Sequence, residues 1–265
     1  MTRRASALAA AIAALVLLGC GQASSQQAEI GYLAAGAIPD AIHILPPPPK
    51  AGSPSQAADD AAFASTRALK GSPRWSLATD DAVASPQAAI KDFSCALRVQ
   101  LDPAALPALQ HLFVRVGLDG RGVIDAPKDL YARRRPFLDH PGEICIDRSD
   151  YLIQSASYPS GHATMGWTWA LILAELAPDR STPILMRGRA YGESRVVCGV
   201  HYPSDIEAGR SNGAVLVAAL HGAPAFRADL EKARAELQAV RDARGPAPDP
   251  ARCKVEAEAG AHQPW

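Results

Sequence analysis

Apolar side chains recur along most of this 265-residue chain at three- and four-residue steps, the period of a helix rather than a strand. Ser53 to Lys70 is Ala-rich, with Asp59 and Asp60 early and Arg67 and Lys70 late, an order that suits a helix dipole. Pro73 to Lys91 is a second helical candidate. Pro103 to Val116 is a third and sets Leu106, Leu109, Leu112 and Phe113 on one face. Gly161 to Leu176 is apolar nearly all round, which predicts a buried central helix. Pro178 and Pro183 punctuate the next turn, and Ile184 to Tyr191 begins another helix. Ser204 to Leu220 is small and apolar. Pro224 to Arg244 is amphipathic, with Glu231, Lys232 and Glu236 expected in solvent. Strand-like alternation is scarce, and its best instance, Ser194 to Val200, is short. No internal repeat occurs. The pattern predicts an all-α, single-domain helical bundle over residues 44–244.

The ends read differently. Residues 21–43 are rich in Ala, Gln and Ser and read as a linker. Ile44 to Pro49 predicts an extended polyproline arm laid over the surface. From Gly245 to residue 265 the chain reads as a Pro-rich tail pinned by Cys253. Residues 1–20 carry Arg3 and Arg4, then an apolar run from Ala7 to Leu18, which is the size of a secretory signal and too short to span a bilayer. Leu17-Leu-Gly-Cys20 resembles a lipobox, with Cys20 as the lipidated first residue; ordinary cleavage near Ala23 is the alternative. No later apolar run approaches ~18 residues. The expected location is therefore periplasmic, free or tethered at Cys20.

Composition sharpens this. Apolar residues make up 48% and charged residues 20%, enough for a packed core. Lys plus Arg and Asp plus Glu both number 27, and loss of the leader's two arginines leaves the mature chain slightly acidic. With no basic run longer than Arg133 to Arg135, nucleic acid is not expected as a partner. Four cysteines remain beyond Cys20, and in an exported chain they predict two disulfides with three possible connectivities. None has zinc-ligand spacing.

Three segments carry chemistry. In Lys128 to Pro136 (KDLYARRRP), Lys128 and Arg135 are seven residues apart, so two helical turns would put both on one face while Arg133 and Arg134 point elsewhere. Alone, this is a solvated basic helix end. Tyr158 to His162 (YPSGH) precedes the apolar helix. Its free backbone N–H groups and the Ser160 hydroxyl form an anion site, with His162 placed to move a proton. Alone, it is a capping serine and a surface histidine. Ser194 to Asp205 (SRVVCGVHYPSD) supplies Arg195, His201 and a carboxylate, Asp205, that would orient the imidazole. Because Pro203 opens a helix after His201, helical spacing does not guarantee their contact. Together the segments hold three cations, a helix N-terminus and two histidines, an inventory for phosphoryl transfer.

The pattern K-x₆-R-P, then P-S-G-H, then S-R-x₅-H-x₃-D resembles the signature of the phosphatidic acid phosphatase type 2 superfamily. Ile44 to Pro49, Gly71 to Trp75, Gly166-Trp167 and Arg187 to Arg210 resemble the bacterial class A non-specific acid phosphatases within it. The likeness covers roughly residues 32–240. It implies that His201 is a nucleophile forming a phosphohistidine and held by Asp205. His162 is then the general acid. Lys128, Arg135, Ser160, Gly161 through its N–H, and Arg195 bind the phosphoryl oxygens. The implied reaction is metal-independent and needs no cofactor. Substrates are small phosphomonoesters with inorganic phosphate as product, and phosphotransfer to alcohols is an expected side activity. If two disulfides form, Cys145–Cys198 would brace the loop near Arg195 and Cys95–Cys253 would tie down the tail. Homo-oligomer formation is left open. The competing readings are a vanadate-dependent haloperoxidase using the same pocket, a lipid phosphatase, and an anion-binding lipoprotein without turnover. The last would have no use for the two histidines.

Overall fold

The structure, a computed structural model, describes residues 30–265. The leader, Cys20 and the start of the linker lie outside the described residues. Among the described residues every regular element is a helix. The principal ones are α1 (Pro54–Thr66), α2 (Pro73–Asp80), α3 (Pro86–Asp92), α4 (Pro107–Tyr131), α5 (Gly161–Leu176), α6 (Ser181–Val197), α7 (Pro203–Leu220), α8 (Pro224–Asp242) and α9 (Pro250–Ala261). No helix is long and apolar enough to cross a membrane.

Helix α5 sits at the centre, as its all-round apolar pattern predicts, with Ile172 and Leu173 fully enclosed. It packs chiefly on α6 and α7. Small residues permit this. A Cβ on Gly188 of α6 would lie 2.3 Å from that of Ala170, and one on Gly209 of α7 would lie 2.7 Å from the Ser160 carbonyl oxygen. Ser160 itself caps α5, its hydroxyl accepting from the Ala163 N–H at 3.2 Å.

Several elements differ from the sequence expectation. The helix predicted to end at Val116 runs on to Tyr131, through three glycines and Pro127. Its predicted face is buried, with Leu106, Leu109, Leu112 and Phe113 fully enclosed. Glu236 of α8 is not a solvent residue: its carboxylate accepts from the Ala108 and Leu109 N–H groups at 3.0 and 2.9 Å and caps α4. The stretch from Pro73 to Lys91 breaks into α2 and α3 at Asp81 to Ser85. Asp81 is drawn inward by Arg187, at 2.5 and 3.2 Å, and by the Ser194 hydroxyl. Ser194 to Val197 completes α6 instead of forming a strand.

Both ends are more ordered than expected. Tyr32 and Leu33, read as linker, pack on the core while their N–H groups donate to the Asp119 carboxylate at 2.7 and 3.1 Å. Ala41–Ile44 is a helical turn, and the proline run begins only after it. The tail is helical from Pro250, capped by Asp249. Its Glu256 joins Asp81 and Asp92 around the buried Arg187 guanidinium. The disulfides are Cys95–Cys253 and Cys145–Cys198, with Cα separations of 5.2 and 4.6 Å.

Candidate active site

Lys128, Arg135, Gly161, His162, Arg195 and His201 line one cavity of about 930 Å³ at the end of the bundle where α4, α5 and α6 meet the α7 entry. Lys128 and Arg135 do not share a helix face. Helix α4 stops at Tyr131, and Ala132 turns through the left-handed region at φ 42°. The two cations meet instead through the backbone of the segment before α5. Lys128 Nζ donates to the Ala156 carbonyl. Arg135 Nε donates to the Ser155 carbonyl at 2.9 Å, and its Nη2 to the Ser155 hydroxyl at 2.9 Å.

Arg195 is a different case. It sits in the last turn of α6, is 2% exposed, and its Nε and Nη1 have no partner in the chain. A buried guanidinium with two unpaired donors is costly unless an anion completes it. The start of α5 adds the free N–H groups of Gly161 and His162 beside this pocket.

His201 and Asp205 do come together. Nδ1 of His201 lies 3.4 Å from Asp205 Oδ2 and 3.3 Å from the Ser157 hydroxyl. Arg135 Nη1 stands 3.1 Å from His201 Nε2. A guanidinium only donates, so the network assigns Nε2 as the acceptor and places the ring proton on Nδ1. The Nε2 lone pair therefore faces the cations. Asp205 is fixed in turn. Its Oδ2 accepts from the Tyr202 N–H at 2.8 Å and from the Ser157 hydroxyl, and its Oδ1 from Arg133 Nη1 at 2.6 Å.

Arg133 thus points inward, against the expectation that it points elsewhere. Its Nη2 also binds Asp59 at 2.8 Å, and Asp59 receives the Ser204 N–H at 3.0 Å. Asp59 is a buried partner in this network rather than a dipole-matching surface acid. His162 is held on the other side, its Nε2 donating to the Ala82 carbonyl at 3.0 Å. Ser157, Asp59, Arg133 and the Ala82 carbonyl are the supporting groups that sequence spacing does not find.

Burial and like charge strain the cluster electrostatically. Burial pushes the Lys128 ammonium down to about 7, with Arg135 adding to the effect. Burial likewise brings Arg135 and Arg195 down to about 10. His162 falls to about 3 through burial and the charge of Arg195. His201 is pushed well below the ordinary imidazole range by burial, then by Arg135, Lys128 and Arg195. Neutral His201 keeps its lone pair, and a bound anion would relieve every one of these shifts. Among the described residues no group of three or more His, Cys, Asp or Glu is arranged to hold a metal ion.

An all-helical bundle with three cations, a helix N-terminus and two histidines around one cavity corresponds to the PAP2 superfamily, whose sequence profile matches residues 109–228. The chain is 46% identical to an acid phosphatase of Zymomonas mobilis subsp. mobilis over 83% of each chain. It is 36% identical to a non-specific acid phosphatase of Salmonella typhimurium over 73% of this chain and 78% of that one. A non-specific acid phosphatase of Providencia stuartii is 34% identical over 80% and 87% of the respective chains. The chain belongs to the bacterial non-specific acid phosphatases of this superfamily.

Proposed function

We propose that the chain is an exported, metal-independent acid phosphatase that hydrolyses phosphate monoesters through a phosphohistidine at His201. The observation that carries this reading is Arg195, buried with two unpaired donors in the same cavity as Lys128, Arg135 and the His201 Nε2. The phosphoryl oxygens bind to these cations, to the Ser160 hydroxyl and to the Gly161 N–H. His201 Nε2 attacks phosphorus while the bond to the ester oxygen breaks. Asp205 steadies the positive charge that appears on the imidazole. His162 gives its proton to the departing alkoxide. It then takes a proton from water as the hydroxide attacks phosphorus, the P–N bond breaks, and phosphate leaves.

The pH dependence follows in sign. The nucleophile must be neutral, and the depressed His201 keeps it so down to low pH. The acid must be protonated, and the depressed His162 holds its proton only under acidic conditions or once the anion has raised it. Both effects put the optimum on the acid side. Export through the leader, tethering at Cys20, periplasmic location and phosphotransfer to alcohols that replace water belong to the same reading.

The test is to trap and map the phosphoenzyme, with His201→Ala and His162→Ala alongside. Phosphate is expected on His201. His201→Ala should lose p-nitrophenyl phosphate hydrolysis by about 10³-fold or more while still binding inorganic phosphate. Phosphate on any other residue overturns the mechanism, and wild-type binding without turnover favours an anion-binding protein.

A further inference from the structure

The cavity is far larger than the group it is built to hold. Its volume is about 930 Å³, whereas a phosphoryl group fills the space of about three waters, on the order of 90 Å³. The surplus has a direction. On α4, Val114, Leu118, Arg121, Asp125 and Lys128 line the cavity at four- and three-residue steps, so they form one stripe along the helix. On α5, His162, Met165 and Trp169 do the same. Lys128 and His162 stand at the phosphate end of these stripes. Trp169 is seven residues beyond His162, about 10 Å along the axis.

Away from the cations the chemistry of the wall changes. Val114, Leu118, Ile124, Met165 and Trp169 are apolar, and Met165 and Trp169 are 9% and 2% exposed. The polar members of the α4 stripe beyond Lys128, Arg121 and Asp125, lie at the solvent edge, as do Gln87, Ser149 and Tyr151 on the opposing segments. Trp169 is braced from behind by the Phe113 ring, stacked at 5.7 Å, and by Tyr191 edge-on at 6.4 Å. This wall is a preformed surface that runs away from the cations, not a loose surface patch.

We propose that this groove between α4 and α5 is a leaving-group channel, and that the preferred substrates are monoesters of alcohols with an extended apolar body several methylenes long. The phosphate head sits on the cations, and the alcohol lies along Leu118, Val114, Met165 and Trp169. This inference rests on the phosphatase reading above.

A series of n-alkyl phosphates, ethyl, butyl and hexyl, tests it at concentrations below aggregation. Their leaving-group basicities are nearly equal, so chain length reports contact and not chemistry. Full burial of a methylene strengthens binding about fourfold, so kcat/KM is expected to rise about two- to fourfold per added methylene. Leu118→Ser, at a half-buried position, should flatten that slope, and Leu118→Met, which restores apolar area, should recover it. A flat series in the wild type, or an unchanged slope in Leu118→Ser, overturns the channel. Failure to turn over any member, together with p-nitrophenyl phosphate, overturns the phosphatase reading and removes the channel with it.

Discussion

Arg133 stands between two carboxylates, Asp205, which faces His201, and Asp59, which faces Ser204, and it does not line the cavity. Its guanidinium binds Asp205 and Asp59, which are nearly or fully enclosed, and stacks over the Tyr202 ring at 4.2 Å. Removing it leaves buried charge uncompensated, so Arg133→Met should cost about 3–5 kcal/mol of unfolding free energy, read by urea denaturation. It should also leave Asp205 more effective at holding a proton on His201. The acid limb of kcat/KM then moves to higher pH. A stability loss with an unmoved acid limb would reduce Arg133 to a structural role. The cations make a second point. At pH 8 a Lys128 depressed to about 7 is mostly neutral, and a bound anion raises it. Binding of inorganic phosphate at that pH should therefore take up a proton, close to one per site. Calorimetry in buffers of different ionisation enthalpy measures this, and a buffer-independent heat would contradict it. The groups proposed to touch phosphate stand out in the sequence because they sit in short fixed spacings. Their supports do not. Asp59 and Arg133 meet across 74 residues, and the Ala82 carbonyl carries no side-chain signal at all.

Helices α5 and α7 were legible despite the isolated glycines Gly166, Gly209 and Gly213, whereas α4 was cut short at Val116, where Gly117, Gly120, Gly122 and Pro127 crowd the stretch that follows. Helix α4 continues past Val116 because tertiary contacts fill the gaps that glycine leaves. A Cβ on Gly120 would lie 2.4 Å from the Met165 sulfur. Proline at the first turn was the opposite case. Pro250 starts α9, in a segment whose other prolines suggested a loose tail. Close helix approach also sets the site. On Gly209 a methyl would meet the Ser160 carbonyl at 2.7 Å, the Ala163 Cβ at 2.9 Å and the Thr164 N at 3.1 Å, all in the first turn of α5. Gly209→Ala should cost about 1–3 kcal/mol by overpacking. It should also displace the Gly161 N–H and weaken competitive inhibition by inorganic phosphate. Unchanged stability and an unchanged inhibition constant would show that the α5–α7 contact yields without moving the site.

Across the molecule, a formal charge of zero conceals a steep internal arrangement. Three cations converge on the cavity, while Asp81, Asp92 and Glu256 surround Arg187, about two turns earlier on α6. Bulk composition reports the sum and not the placement, which is why it said nothing of the pocket. The two disulfides give the same chain a further property. Cys95–Cys253 closes a covalent ring that contains every residue assigned to phosphate or to proton transfer, from Lys128 to Asp205, and Cys145–Cys198 divides that ring in two. A single protease nick at any bond inside it leaves both fragments on one covalent body. The groups assigned to the site then stay tethered at high effective concentration, and cleavage in a surface loop need not disassemble it.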